Sequence, residues 1–233
     1  MKLVAILFFF VGLAGCAALG TNGVNLISVE EEWEMGQQLE AQIAEELDVS
    51  QDPGLTAMGE QIVATTEMGH LPWRFYVVRD ESVNAFNVPG GLVYVNSGLI
   101  EQAGSEDEVA AVVAHEIGHG VARHGTQRLT RQYGLSVLAG LVLGQDPGLL
   151  QQIATEIVAA GTIAQFSRAQ EFEADELGVR HMADANHDPR GMVQLLQRLM
   201  ELQERDPGAV QQFFATHPSP QDRIANVEEM IGE

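Results

Sequence analysis

The sequence predicts an α+β fold that is mostly helical, with a small sheet of about three strands, and three observations carry that expectation. Helix-start signatures recur at Ser28, Asp52 and Ser105. Aromatic and β-branched runs are confined to one stretch between Trp73 and Val95. After Ser105 the patterning is helical, without an internal repeat, a low-complexity tract or a long linker. A chain of 233 residues with 45% hydrophobic content is long enough to bury one sizeable core, so disorder is not its main description.

The N-terminal residues stand apart from that fold. Lys2 is followed by the apolar run LVAILFFFVGLAG, which has the charged start and short hydrophobic segment of a secretory signal. The run is shorter than the roughly 20 residues a spanning helix needs. Leu13-Ala14-Gly15-Cys16 resembles the lipobox of bacterial lipoproteins, which implies cleavage before Cys16 and lipid attachment to its thiol. Cys16 is the only cysteine, so the lipidated chain would hold neither a disulfide nor a free thiol. Ala17 is uncharged, as in lipoproteins sent on to the outer membrane. The expected organisation is a signal peptide over 1–15, a tether over 16–27 and one domain over 28–233. Its expected location is the bacterial periplasm, on a lipid anchor in the outer membrane.

The elements follow in order. Ser28-x-x-Glu31 is a capping box opening a helix to about Leu47, because the two side chains can satisfy N–H groups that a helix start leaves free. Asp52 before Pro53 starts a second helix, to about Glu67. WRFYVVR (73–79) and VNAFNV (83–88) read as strands, and Pro89-Gly90-Gly91 breaks the chain before LVYV (92–95). Ser105-x-x-Glu108 is a second capping box, starting the helix that carries AVVAHEIGHGVARHG (111–125). Further on, LSVLAGLVLG (135–144) and IATEIVAAGTIA (153–164) are apolar, but neither reaches the 18 residues expected of a span. Gln145-Asp146-Pro147-Gly148 separates them, which predicts a helical hairpin packed on the core. The net charge of −21, from 12 basic and 33 acidic residues, excludes nucleic-acid binding, which depends on clustered Lys and Arg.

The chemistry concentrates in HEIGH (115–119). A spacing of four places His115 and His119 on one helix face, a turn apart, so both imidazoles can reach one ion. Glu116 is displaced from that ligand pair but close enough to act on water at the metal, the general-base geometry of this motif. Roughly 0.02 H-E-x-x-H matches are expected by chance in this composition, so a bystander histidine pair is disfavoured. Gly118 and Gly120 leave the helix flank open to a close neighbour. His124 falls one residue short of the H-E-x-x-H-x-x-G-x-x-H spacing and reads instead as a helix-end residue bonding terminal carbonyls. Downstream, Glu171 and Asp175 lie four apart on a predicted helix, so one carboxylate can bind metal while the other orients a ligand histidine.

With HEIGH and Glu171-Phe-Glu-Ala-Asp175 together, the chain resembles gluzincin metallopeptidase family 48, which includes CAAX prenyl endopeptidases, heat-shock membrane peptidases and periplasmic envelope-maintenance peptidases. Asn84-Ala85-Phe86, Pro89-Gly90-Gly91 and Val93-Tyr94-Val95 match the family segment beside the active-site helix, and His217-Pro218 with Arg223 matches a C-terminal element closing over the cleft. The likeness runs from about residue 30 to 231. It implies a zincin-like metallopeptidase with one zinc held by His115, His119 and Glu171, Glu116 as general base and Asp175 supporting a ligand histidine. His217 and Arg223 become candidates for steadying the oxyanion. Glu173 lies about 200° around the helix from Glu171, which leaves it to a salt bridge or to solvent.

The implied activity is zinc-dependent hydrolysis of peptide bonds in misfolded or misassembled envelope proteins. An exposed strand edge at Val93 and Tyr94, flanked by Asn84, Phe86 and Gly91, would hold an unfolded or extended polypeptide by main-chain hydrogen bonds. The competing class is a zinc-stabilised holdase or assembly factor of the outer membrane, which would need the ligands but not Glu116. A further possibility is latency, with His217 occupying the open zinc position.

Overall fold

The computed structural model describes residues 25, 27–160 and 165–232. The expected signal peptide, the lipidation site Cys16 and nearly all of the 16–27 tether lie outside the described residues. Two helices come first, α1 (Val29–Glu46) and α2 (Pro53–Val63), separated by the two-residue strand β1 (Val49–Ser50). The Ser28 capping box is formed in both directions: Ser28 Oγ accepts from the Glu31 N–H at 3.1 Å, and Glu31 Oε2 accepts from the Ser28 N–H at 2.7 Å. Asp52 caps α2, which ends at Val63 rather than near Glu67 because the chain turns at Thr65 and Thr66, whose hydroxyls donate to Ile62 and Val63 carbonyls.

The sheet has four strands in the order β1-β2-β4-β3, with β2 (Arg74–Val78), β3 (Ala85–Val88) and β4 (Leu92–Asn96). The fourth strand, β1, is too short to show alternation in the sequence. β4 pairs parallel with β2 and antiparallel with β3, so it is an interior strand and every residue in it is buried. The expectation that Val93 and Tyr94 form an exposed edge is therefore corrected. The hairpin places β3 outside β4, so the edge beside the next helices is β3, with Phe86 on it and Asn84 just before it. Residues 89–91 turn the hairpin, and Gly90 and Gly91 have φ of 92° and 72°, which favour glycine.

The remaining elements are helical: α3 (Ser97–Gln102), α4 (Glu106–Val121), α5 (His124–Tyr133), α6 (Leu135–Val142), α7 (Pro147–Ala160), α8 (Arg168–Asp184), α9 (Arg190–Arg205), α10 (Gln211–Thr216) and α11 (Pro220–Ile231). Strand alternation divides the apolar residues between two faces. Phe75, Val93 and Val95 join α2, α4, α8 and α9 in one core, whereas Leu92, Tyr94 and Phe86 join α1, α6 and α7 in another. α6 and α7 form the expected packed hairpin, with Leu138, Leu141, Ile153 and Ile157 buried and Leu143 exposed at its tip. Among the described residues no helix is long and apolar enough to cross a membrane.

α1 meets the β3–β4 turn backbone to backbone. A Cβ at Gly36 would lie 2.6 Å from the Pro89 carbonyl oxygen and 2.7 Å from Gly90 Cα. Gly36→Ala should therefore lower stability by about 1–3 kcal/mol, against the roughly 1 kcal/mol that Gly to Ala ordinarily gains inside a helix. Urea unfolding followed by circular dichroism reads the sign directly; a stabilised variant would show that the two backbones are not in contact.

Candidate metal centre and active site

α4 is fixed at both ends before it delivers its side chains. Ser105 Oγ accepts from the Glu108 N–H, but the box stays half-formed, because Glu108 instead accepts from the Gly104 N–H and from Arg198 at 2.7 and 2.9 Å. At the far end Arg123 adopts φ 57°, a left-handed conformation that turns the chain directly into α5. Its guanidinium holds that corner by bonding Glu32 at 2.6 Å and the carbonyls of Ile27 and Ser28.

The close neighbour of α4 is α8. A Cβ at Gly118 would lie 2.5 Å from the Ala174 carbonyl oxygen, and one at Gly178 would lie 3.2 Å from the backbone of Ala114 and His115. Small residues on both helices let the backbones approach closely. α8 itself opens on a capping box, Ser167 with Gln170, which fixes where its faces point. Glu171 and Asp175 consequently face His115 and His119.

His115 Nε2 and His119 Nε2 are 3.1 Å apart, and Glu171 Oε1 is 3.3 Å from His119 Nε2. His217, just after α10, adds its Nδ1 at 3.3 Å from both His115 Nε2 and Glu171 Oε1. The four donor atoms all lie within 4.8 Å of one another. Glu116, the next residue on α4, has Oε1 3.5 Å from His217 Nε2, and neither of its oxygens has a hydrogen bond among the described residues. His115, Glu116, His119, Glu171 and His217 are all at most 1% exposed, and the Phe166 ring stacks on His119 with centroids 3.9 Å apart.

The donor set fits a divalent cation. Asp175 Oδ1 accepts from the Nδ1–H of His115 at 2.8 Å, which leaves the Nε2 lone pair aimed into the cluster. Lone pairs of imidazole and carboxylate crowd together there, and a positive charge shared among them relieves their repulsion. Two histidines and a glutamate are a donor set used by hydrolytic zinc sites that keep one position open.

Arg223 is placed differently from an oxyanion group. Its Nε and Nη2 bond Asp175 at 2.7 and 2.6 Å, and its Nη1 lies 2.9 Å from Glu171 Oε2. The guanidinium is committed to two carboxylates and does not face an open cleft. His124 also departs from expectation. It does not bond helix-end carbonyls but begins α5, fully buried, with Nδ1 2.9 Å from His119 Nδ1 and Nε2 3.4 Å from Glu173 Oε2. Phe166 carries no recognisable signal in the sequence, whereas Ser167-x-x-Gln170 is a legible helix start.

Burial and charge compete over Glu171, Asp175 and His217. Burial opposes ionisation of Glu171, yet His217 and Arg223 hold it well below the usual carboxylate range. Asp175 is likewise depressed, with Arg223 and His115 overcoming burial. Burial keeps His119 well below its ordinary value, and also lowers His124. His217 goes the other way: burial would lower it, but the Glu171 and Glu116 carboxylates raise it.

The sequence profile of Peptidase family M48 matches residues 50–231. The chain belongs to peptidase family M48. It is 36% identical over 174 residues to a protein named mitochondrial metalloendopeptidase OMA1 from Schizosaccharomyces pombe, covering 75% of this chain and 51% of that relative. It is 30% identical over 221 residues to the beta-barrel assembly-enhancing protease of Yersinia pestis, covering 89% and 45%. The protein of that name from Escherichia coli K12 is 27% identical over the same shares. The chain thus spans about half the length of the curated relatives it matches.

Within this M48 domain the Arg223 network yields a stability prediction. Glu171 and Asp175 have folded pKa values below their unfolded ones, so in the metal-free chain their contribution is fully present above about pH 4–5 and lost as pH falls through the folded values. Arg223→Met leaves both carboxylates buried without their cation and should cost about 3–5 kcal/mol near neutral pH. Urea titrations from pH 7 to 3 should show the variant's deficit shrinking as the carboxylates protonate. A deficit independent of pH would mean that packing, not charge, is what Arg223 supplies.

Proposed function

We propose that this chain is a zinc-dependent endopeptidase of the bacterial envelope that cleaves misfolded or misassembled proteins. The observation that carries the reading is the convergence of His115, His119 and Glu171 donor atoms beside the buried Glu116 carboxylate, which has no hydrogen-bond partner among the described residues. His115, His119 and Glu171 would hold the metal. Zinc, when bound, supplies Lewis-acid chemistry, polarising a carbonyl and acidifying water.

The chain's own residues supply the rest. A Glu116 oxygen takes the proton of the attacking water and delivers it to the leaving amine. Asp175 fixes His115 through Nδ1, and Arg223 positions Asp175 and Glu171. An extended substrate would add to the β3 edge rather than to β4, held by main-chain hydrogen bonds near Asn84 and Phe86 once that edge, buried in the described form, is uncovered. Such binding depends little on side chains, which suits unfolded polypeptides. The names of the bacterial relatives support an envelope role, and a lipid on Cys16 would tether the chain to the outer membrane; the mass of the mature N-terminal peptide tests that anchor.

A specific observation favours a second statement about His217. It sits inside the donor cluster, 3.3 Å from His115 Nε2, in a site that is buried throughout. The burial of Glu116, 3.5 Å from His217 Nε2, supports a reading in which His217 moves aside to admit substrate and holds a closed resting form until then. His217→Ala should raise turnover of an unfolded protein such as casein; a fall of tenfold or more with zinc retained would instead place His217 in the transition state.

The decisive experiment is casein hydrolysis by the purified chain with and without chelator, and with Glu116→Gln. The variant should retain zinc but lose at least about a thousandfold in kcat/KM. A holdase would keep its activity in Glu116→Gln, and that result would replace the peptidase reading.

A further inference from the structure

Both ligand histidines on α4 have a second ring nitrogen that must be held, and the two are held differently. Asp175 takes the Nδ1–H of His115 directly. His119 Nδ1 meets another histidine, the fully buried His124, at 2.9 Å, and His124 Nε2 in turn lies 3.4 Å from Glu173 Oε2. Two ring nitrogens at that separation share one proton. If His124 Nδ1 carried it, the neutral His124 would turn an Nε2 lone pair toward a carboxylate that can only accept. If His119 Nδ1 carries it, His124 accepts at Nδ1 and donates its Nε2–H to Glu173, and every group in the row is satisfied.

We propose that Glu173 and His124 form a two-residue relay that fixes the His119 tautomer and ring orientation, directing its Nε2 lone pair into the metal cluster. His124 and Glu173 are positioning residues and touch neither metal nor substrate. The relay accounts for two placements. The left-handed Arg123 turns α5 sharply enough to bring His124 back against His119 across only five residues. Glu173 sits between Glu171 and Asp175 in sequence but on another face of α8, which is the face that reaches His124. One helix thereby supplies a ligand and the outer carboxylates of both histidines.

The inference rests on the metal reading of the site, so the test measures zinc affinity rather than hydrolysis. Zinc is titrated into the purified metal-free chain against a chromophoric chelator. His124→Leu removes the acceptor and should raise the zinc Kd 10–100-fold. His124→Gln, whose amide can accept from His119 and donate to Glu173, should restore affinity to within about threefold of the unaltered chain. Glu173→Ala should weaken binding about tenfold alone and add nothing in the His124→Leu background, since the two act in series.

A His124→Leu Kd within twofold of the unaltered chain overturns the relay, as do fully additive effects or a Gln variant no better than Leu. If His124→Leu does not fold by circular dichroism, Glu173→Ala decides alone: its side chain is 33% exposed and replaceable, and an unchanged Kd overturns the proposal. Failure of the unaltered chain to bind zinc at all would overturn the metal reading and the relay with it, whereas tight binding that the variants leave intact overturns only the relay.

Discussion

The close crossing of α4 and α8 is the constraint on which the rest of the structure depends. Gly118 against the Ala174 carbonyl, and Gly178 against the backbone of Ala114 and His115, set the helices nearer than side chains of ordinary size would allow. At that distance a carboxyl carbon two bonds from Cα in Asp175, or three in Glu171, brings its oxygens to an imidazole on the neighbouring helix. A larger residue at either glycine would separate Glu171 from His119 and Asp175 from His115 together. The site is therefore a property of helix packing before it is a property of ligand chemistry.

That packing concentrates charge away from the protein surface. Glu116, Glu171 and Asp175 are fully buried, and Arg223, itself 1% exposed, is the cation that reaches two of them. Buried ion pairs recover their desolvation cost only with near-ideal geometry and additional hydrogen bonds. Here the geometry comes from α11, which brings Arg223 across α8 so that one guanidinium edge is bidentate to Asp175 while its remaining nitrogen faces Glu171. Glu116 has no hydrogen-bond partner among the described residues, only His217 Nε2 at 3.5 Å, which is the condition expected of a group kept for chemistry rather than for stability.

The sheet places the metal centre without contributing a donor to it. β3 lies against α4 at the sheet edge, and the two apolar faces of β4 are covered on one side by α2, α4 and α9 and on the other by α1, α6 and α7. The hairpin that puts β3 outside β4 is held where Gly90 meets Gly36 of α1. The same first helix binds Arg123 through Glu32, so α1 braces both the strand edge and the corner from which His124 returns to the cluster.

By itself the sequence determined the parts whose interactions are local. Capping at Ser28 and Asp52, the strands near Phe75, Phe86 and Tyr94, the hairpin of α6 and α7, and the one-turn spacing of His115 and His119 all follow from contacts within a few residues. The E-x-x-x-D spacing of Glu171 and Asp175 marked the partner helix through family likeness, because nothing local says that it meets α4. Tertiary structure decided the rest. β1 is two residues long and exists only by pairing with β2, and β4 became interior because its parallel partner lies across a crossover. Family likeness made Arg223 a candidate for steadying the oxyanion, but the fold commits it to two carboxylates. His124 falls outside the ligand spacing along one helix, and only a left-handed corner at Arg123 brings it back to His119. Each of these depends on a distance between residues far apart in the chain, which side-chain periodicity does not encode.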